Sequence, residues 1–379
     1  MRIVFVSTLK GTPWGGSEEL WAAACERALH NGHAAMICRY QWPESLRRQE
    51  SLRQAGAKLS LRPRRAGKIA RLFPRPGWLR EIDGFAPDVV CISQGNAYEC
   101  AGHRSMVPLL KWLARTNVAL VNLIQFNSED TGLGRAAANR ARWLYQRATT
   151  NAFVAMDNHR LAESRLRVRI ERAVEVRNPV NLSDTCPVPW PCEDVVRMAC
   201  VARLDARTKG QDVLLEVLAK PQWTSRPWTL SLFGVGPDEQ RFADQSRRLG
   251  LSDRVSFLGH SSDIRAIWRN HQVLLLPSRA EGTPLAMVEA MVLGRPCMVC
   301  AVGGCADWVR DGENGFLSPE PNTDSVGSAM ERLWSARERW PSIGAAARES
   351  SLAMMGPDPG LALLDVLVAA ARSHSGAVP

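Results

Sequence analysis

The stretch VLLLPSRAEGTPLAMVEAMVLGRPCMVC, residues 273–300, changes character three times. Val273 to Pro277 is a short apolar run of strand type, Gly282 lies in a turn, Pro284 to Leu293 reads as a helix, and Pro296 to Cys300 reads as a second strand. Strand, helix and strand in that order form a βαβ unit, whose two strands run parallel. Proline suits the first helical position, where its missing N–H has no intrahelical acceptor. The amides of Leu285 and Ala286 then point, unpaired, at the helix mouth, which makes a ready anion site.

The same alternation extends in both directions. Strand-like runs occur at 2–6, 88–92, 118–124, 152–156, 196–202, 228–233 and 254–258, and helix-like stretches at 17–30, 211–220 and 238–249. The segment PVNLSDTCPVPWPCED, residues 179–194, holds four prolines, breaks the rhythm and reads as an interdomain linker. The expected architecture is α/β, two doubly wound Rossmann-like domains facing each other across a cleft. In such sheets ligands sit at the C-terminal ends of the strands, so each loop after a strand is a candidate.

Five loops qualify. Arg203 and Lys209-Gly210 follow the run 196–202 and lead into a helix; two cations fixed at a strand end suit a diphosphate. They are equally compatible with a solvated surface turn. After 273–277 come Glu281, Gly282, Thr283, Pro284 and Leu285, with Glu289 about one and a half turns into the helix. Two carboxylates so spaced can touch different parts of one elongated ligand: Glu281 the reacting sugar, Glu289 ribose hydroxyls. Glu289 also reads as an ordinary helix-surface glutamate. Gly303-Gly304, after the strand ending at Cys300, lets a backbone approach a ligand closely. Phe233-Gly234-Val235-Gly236-Pro237 lacks the third glycine of a dinucleotide fingerprint, since Glu239 stands there, and Gly234 stays a candidate contact. In the first half, Gly15 and Gly16 open a helix in a way that favours phosphate or sugar, or form a plain turn capped by Ser17.

Composition narrows the function classes. The chain has 379 residues, 45% hydrophobic and 23% charged, as in soluble globular proteins. No uninterrupted apolar run approaches the roughly 18 residues of a membrane span, and Ile3 to Val6 is too short for a signal peptide core. A cytoplasmic location is the expectation. Ten cysteines at these spacings support neither a disulfide scaffold nor a zinc site, and Cys297, Cys300 and Cys305 read as small buried hydrophobes. Residues 1–180 carry 28 Lys/Arg against 15 Asp/Glu, and 181–379 carry 20 against 23. Eleven of those basic residues fall in 47–80 with one acid, Glu50. That stretch suits solvent, an anionic membrane surface or an anionic acceptor; nucleic acid is not expected, because no reader motif accompanies it.

Taken together the loops resemble glycosyltransferase family four, of the GT-B fold. The matching features are Arg203 with Lys209-Gly210, Glu281…Glu289, Gly303-Gly304, the run Val309 to Leu317, Gly15-Gly16-Ser17-Glu18, and Arg177 to Asn181. The resemblance implies a UDP- or GDP-sugar donor, retention of anomeric configuration and no metal or other cofactor, in keeping with the lack of an Asp-x-Asp pair. It implies that Arg203 and Lys209 stabilise the leaving diphosphate, that Glu281 positions the donor sugar, and that Leu258, Gly259 and His260 lie where the base is recognised. It implies an acceptor-side domain at 1–182, a donor-side domain at 183–359, and a final helix within 360–379 returning to the first domain. The acceptor is expected to be a glycan or a lipid-linked or other hydroxyl compound of cell-surface polysaccharide or glycoconjugate synthesis, with peripheral membrane contact through 47–80. One position departs: where the family carries a histidine after a central strand, this chain has Gln125. Gln125 can hydrogen-bond a sugar hydroxyl but is no acid or base at neutral pH. His103, His159 and His260 are substitutes by residue type alone. A catalytically weak GT-B binding or scaffold protein, and a GT-B phosphorylase, are the alternatives.

Overall fold

The computed structural model describes residues 1–43, 46–64, 76–128, 132–182, 184–191 and 195–375. It divides into two units, one spanning Met1–Pro179 and resuming at Pro357, the other spanning Val180–Gly356.

The first unit holds a parallel sheet of β1 (Arg2–Ser7), β2 (Ala34–Tyr40), β3 (Lys58–Arg62), β4 (Val89–Gln94), β5 (Ala119–Ile124), β6 (Thr150–Phe153) and β7 (Ala173–Glu175). Their spatial order is β3-β2-β1-β4-β5-β6-β7. Both faces are covered, which is why the strands read as continuous apolar runs. Alternate residues of β1 enter different cores: Ile3 and Phe5 pack with Leu20, Trp21, Leu363 and Leu367, while Val4 and Val6 pack with Ile82, Leu109 and Leu113. Leu20, Trp21, Ala24, Cys25 and Ala28 form the buried stripe of the helix Gly16–His30. The last helix, Pro359–Ser375, lies against it, and Gly360 permits the approach: a Cβ there would come 2.8 Å from Ala23.

The second unit holds β8 (Val196–Val201), β9 (Trp228–Phe233), β10 (Val255–Gly259), β11 (Val273–Leu276), β12 (Cys297–Cys300) and β13 (Phe316–Ser318), in the order β10-β9-β8-β11-β12-β13 and again parallel. Met198 and Cys200 face one core, Ala199 the other. The described cysteines are buried except Cys186, and burial pushes Cys200 and Cys300 up to about 12. Two doubly wound parallel sheets are thus present, as the alternation of strands and helices requires.

The structure corrects several readings. β2, β3, β7 and β13 were not among the strand-like runs. In β3, KLSLR looks like surface sequence, yet Ser60 and Arg62 are buried while Lys58 and Leu61 are exposed. The stretch 47–80 is therefore not one basic face: it includes the helix Arg47–Gln54 and a strand with a buried arginine, and residues 65–75 lie outside the described residues. The boundary between the units, Pro179 to Val180, falls in the proline-rich segment as read, but the residues after it are packed. Val180, Leu182 and Val188 pack into the second unit, Arg295 donates to the carbonyl of Pro189 at 2.5 Å, and its guanidinium lies 4.7 Å from the Trp190 ring. Finally, Arg337–His374 is long and apolar enough, by length and composition, to cross a membrane. Gly356, in the left-handed region at φ +70°, divides it into helices Trp340–Met355 and Pro359–Ser375, and Leu363, Leu364 and Leu367 of the latter are buried in the first unit.

Candidate functional site

In the second sheet the chain moves outward from β8 through β9 to β10, then returns to pair β11 with β8. The crevice beyond the C-terminal ends of β8 and β11 is the switch point where such sheets bind ligands. β8 leads into Arg203, and β11 leads into Pro277 and Ser278.

Backbone contacts sew the two loops together. After Arg203, Asp205 caps the short helix Ala206–Lys209 by accepting from the Arg207 amide, and that helix ends at Gly210. The amides of Arg279 and Ala280 both donate to the Thr208 carbonyl, at 2.9 and 3.2 Å. Gly210 has φ +67°, and a Cβ there would sit 2.1 Å from the Pro277 carbonyl oxygen. Arg279 adds a bidentate pair to Asp212, at 2.7 and 3.0 Å.

This sewing brings Lys209 to Glu281. Lys209 Nζ donates to Glu281 Oε1 at 2.6 Å, and Ser278 Oγ donates to the same oxygen at 2.7 Å. Glu281 is 5% exposed, so a buried carboxylate is matched by a cation and a hydroxyl. Arg203 is exposed, and among the described residues its guanidinium joins no ion pair. Gly282 and Pro284 are buried beside Glu281; Thr283, Leu285 and Ala286 are partly exposed. Pro284 precedes the helix, which runs Leu285–Val292, instead of occupying its first position. Met287 and Val288 donate to the Pro284 carbonyl, so the amides of Leu285 and Ala286 still precede the first intrahelical bond.

Glu289 is not a surface glutamate. It is 4% exposed, its Oε1 accepts from the Asn181 amide at 3.3 Å, and burial pushes its carboxyl above the ordinary range. The glycines expected against a ligand are used, in this structure, against neighbouring backbone. A Cβ on Gly303 (φ +56°) would meet the Glu281 carbonyl at 2.2 Å, and one on Gly234 would meet the Ala202 carbonyl at 2.1 Å. At the ends of β9 and β10, Gly234 donates to the Gly259 carbonyl at 2.7 Å, and a bulge between Phe257 and Gly259 turns Leu258 outward. Leu258 and Val235 are 52% and 57% exposed, beside exposed His260. They make an apolar ledge to one side of the Lys209–Glu281 pair.

Gln125, Gly15 and Gly16 belong to the first unit. Gln125 follows β5, its amide donates to the Gln94 carbonyl at 3.0 Å, and it is 4% exposed. Both polar atoms of its side chain lack a hydrogen-bond partner among the described residues. Gly15 is the residue before the helix and Gly16 its first residue; Ser17 lies inside and does not cap it. His159 is held by the Ile170 carbonyl at 3.1 Å. The sequence reading placed Glu18 in the Gly15-Gly16-Ser17-Glu18 turn but gave it no role; it accepts from Ser7 Oγ at 3.0 Å and is raised to about 7 by burial. It likewise gave no role to Ser278, Asp212 and Asn181, which lie in or beside its motifs. Ser278, three residues before Glu281, was the detectable one, because a serine at a strand end is a ready donor.

Residues 196–336 match the family model for group 1 glycosyl transferases. A lipopolysaccharide 1,6-galactosyltransferase of Salmonella typhimurium is 33% identical over 162 residues, covering 40% of this chain and 44% of that protein. An alpha-D-kanosaminyltransferase of Streptomyces kanamyceticus is 26% identical over 60% of this chain and 54% of that protein. The chain thus spans about half or less of the curated relatives it matches. Among solved structures, HepE of Anabaena in complex with UDP-glucose superposes with TM-score 0.76 at 18% identity, over 98% of this chain and 100% of that one. A sucrose-phosphate synthase of Thermosynechococcus elongatus does so with TM-score 0.76 at 16% identity over both full lengths. The fold is GT-B, and the region that matches the group 1 glycosyl transferase model lies within the second unit.

Proposed function

We propose that this GT-B chain is a glycosyltransferase that moves a sugar from a nucleoside-diphosphate sugar to a hydroxyl acceptor. The observation that carries the reading is the Lys209–Glu281–Ser278 cluster at the β8/β11 switch point, with Arg203 exposed in the same loop as Lys209. Departure of the nucleoside diphosphate leaves negative charge on its terminal oxygen. Lys209, Arg203 and the amides of Leu285 and Ala286 are positive groups fixed before the reaction starts, and such groups stabilise developing charge without reorganising. Glu281 is locked by two donors and so can accept from a sugar hydroxyl in one orientation. Glu289 reads the ribose, and the ledge of Val235 and Leu258 carries the base.

We read transfer as retaining and metal-independent, on the resemblance of the Glu281…Glu289 pair and the Arg203/Lys209 loop. Solved neighbours bind UDP and UDP-glucose, which makes these the first ligands to test. Relatives in lipopolysaccharide and colanic acid synthesis support a cell-surface glycan or lipid-linked acceptor, handled on the cytoplasmic side. Calorimetry with UDP and GDP is the test. Arg203→Ala and Lys209→Ala are each expected to weaken the preferred diphosphate about tenfold or more, the loss of one charge-assisted hydrogen bond. Unchanged affinity in both variants rejects the site, and a donor-consumption assay followed by NMR of the product anomer checks retention.

A further inference from the structure

The first unit buries two arginines at its strand ends with no carboxylate among the described residues bonded to either. Arg39 near the end of β2 and Arg62 at the end of β3 are 2% and 1% exposed. Arg39 donates to Gln49 Oε1 at 2.9 Å and to the Pro13 carbonyl; Arg62 donates to the Ser7 carbonyl. The Nε of each has no hydrogen-bond partner among the described residues. Tyr40 pairs with Arg62 in the β2–β3 register, and its ring has Arg62 at 4.4 Å and Lys10 Nζ at 5.9 Å from the centroid. Lys10 is exposed and follows β1. His103, after β4, has a buried Nδ1 without a partner among the described residues; burial, then Lys10 and Arg62, hold its pKa below the usual value.

Three cations and a histidine therefore crowd the ends of β1, β2 and β3. The carboxylates facing them are Glu18, bonded to Ser7, and Glu99, bonded to Thr8 at 2.6 Å; burial raises both. Like charges gathered under poor solvation call for a counter-anion. An oxyanion with more than one charge and several acceptor oxygens answers that need best.

We propose that the ends of β1–β3 bind a phosphate group, with Lys10 as the direct contact and Arg39 and Arg62 behind it as the source of field. Because the nucleotide site lies in the second unit, this phosphate belongs to the acceptor, a phosphorylated sugar or a lipid-linked phosphate. That last assignment rests on the glycosyltransferase reading; the phosphate site does not.

The experiment uses the full-length Arg203→Ala/Lys209→Ala double variant, in which the second unit's diphosphate contacts are removed. Inorganic phosphate and glucose 1-phosphate are titrated by calorimetry. Co-sedimentation compares phosphatidic acid vesicles with phosphatidylcholine vesicles. Binding of at least one phosphate ligand is expected in that background. Adding Lys10→Ala should weaken it about tenfold, and Lys10→Arg should restore it. Preference for the sugar phosphate assigns a soluble acceptor, and preference for phosphatidic acid assigns a lipid-borne one. No phosphate binding in the double variant, or affinity indifferent to Lys10→Ala, overturns the proposal. UDP titration of the unaltered chain, run in parallel, decides the donor reading separately.

Discussion

Glu18 is a carboxyl whose environment opposes its charge. It is buried, one oxygen accepts from Ser7 and the other has no hydrogen-bond partner among the described residues. Its pKa rises from 4.5 to about 7, with burial the leading cause. The folded state therefore holds a proton that the unfolded chain gives up near pH 4.5. Its contribution to stability is complete below the unfolded pKa and disappears as pH climbs through the folded one. A shift of this size corresponds to about 3 kcal/mol. Urea denaturation at a series of pH values should show the chain losing stability toward neutral pH, and Glu18→Gln should lose about 3 kcal/mol less over that interval. Parallel curves for the two proteins would refute a titrating Glu18. Lys209 and Glu281 illustrate the opposite arrangement, in which a buried carboxylate receives a cation and a hydroxyl.

At the scale of elements, the loops after the strands act as one fitted assembly. Gly303 presses its backbone on Glu281, and the Arg279–Asp212 pair holds the Lys209 loop to the Glu281 loop. Gly303→Ala meets both a steric clash and a left-handed backbone, and should cost roughly 2–4 kcal/mol. Gly250→Ala shares the positive φ, +71°, but has nothing within 4 Å, and should cost only about 1 kcal/mol. Equal shifts in the urea midpoint of the two variants would show that Gly303 is not a packing position. These elements also explain what the sequence could reveal. The Glu281…Glu289 unit was legible because strand, turn and helix are contiguous and local spacing fixes their geometry. The helices 211–218, 239–248 and 285–292 were placed to within about two residues for the same reason. Asn181, which meets Glu289 across 108 positions, was not legible, since nothing local announces such a contact. β2 and β3 escaped because Arg39, Lys58 and Arg62 give them the look of surface, although two of those three are buried.

At the scale of the molecule, the charge is divided unevenly, with 28 basic and 15 acidic residues before position 181 and 20 against 23 after it. The ends of β1–β3 show that part of this surplus is internal, held in Arg39 and Arg62 rather than spread on the surface. The first unit is also discontinuous in sequence, because Pro359–Ser375 supplies Leu363, Leu364, Leu367, Ala370 and Ala371 to its core. Each fully buried leucine contributes on the order of 1.5–3 kcal/mol. A chain ending at Gly356 should therefore melt in two steps, with the first unit's transition lowered or absent and the second unit's kept. A single unchanged transition in calorimetry would contradict this. Synthesis runs from the amino end, and domains tend to fold in the order in which they leave the ribosome. Here that order is reversed for completion: residues 1–179 emerge first yet stay an open sandwich, missing one slice, while Val180–Gly356 can close on its own. Pro359–Ser375, made after both sheets, works as a latch, and residues 1–179 of a nascent chain remain exposed to chaperones and proteases until that helix has been translated.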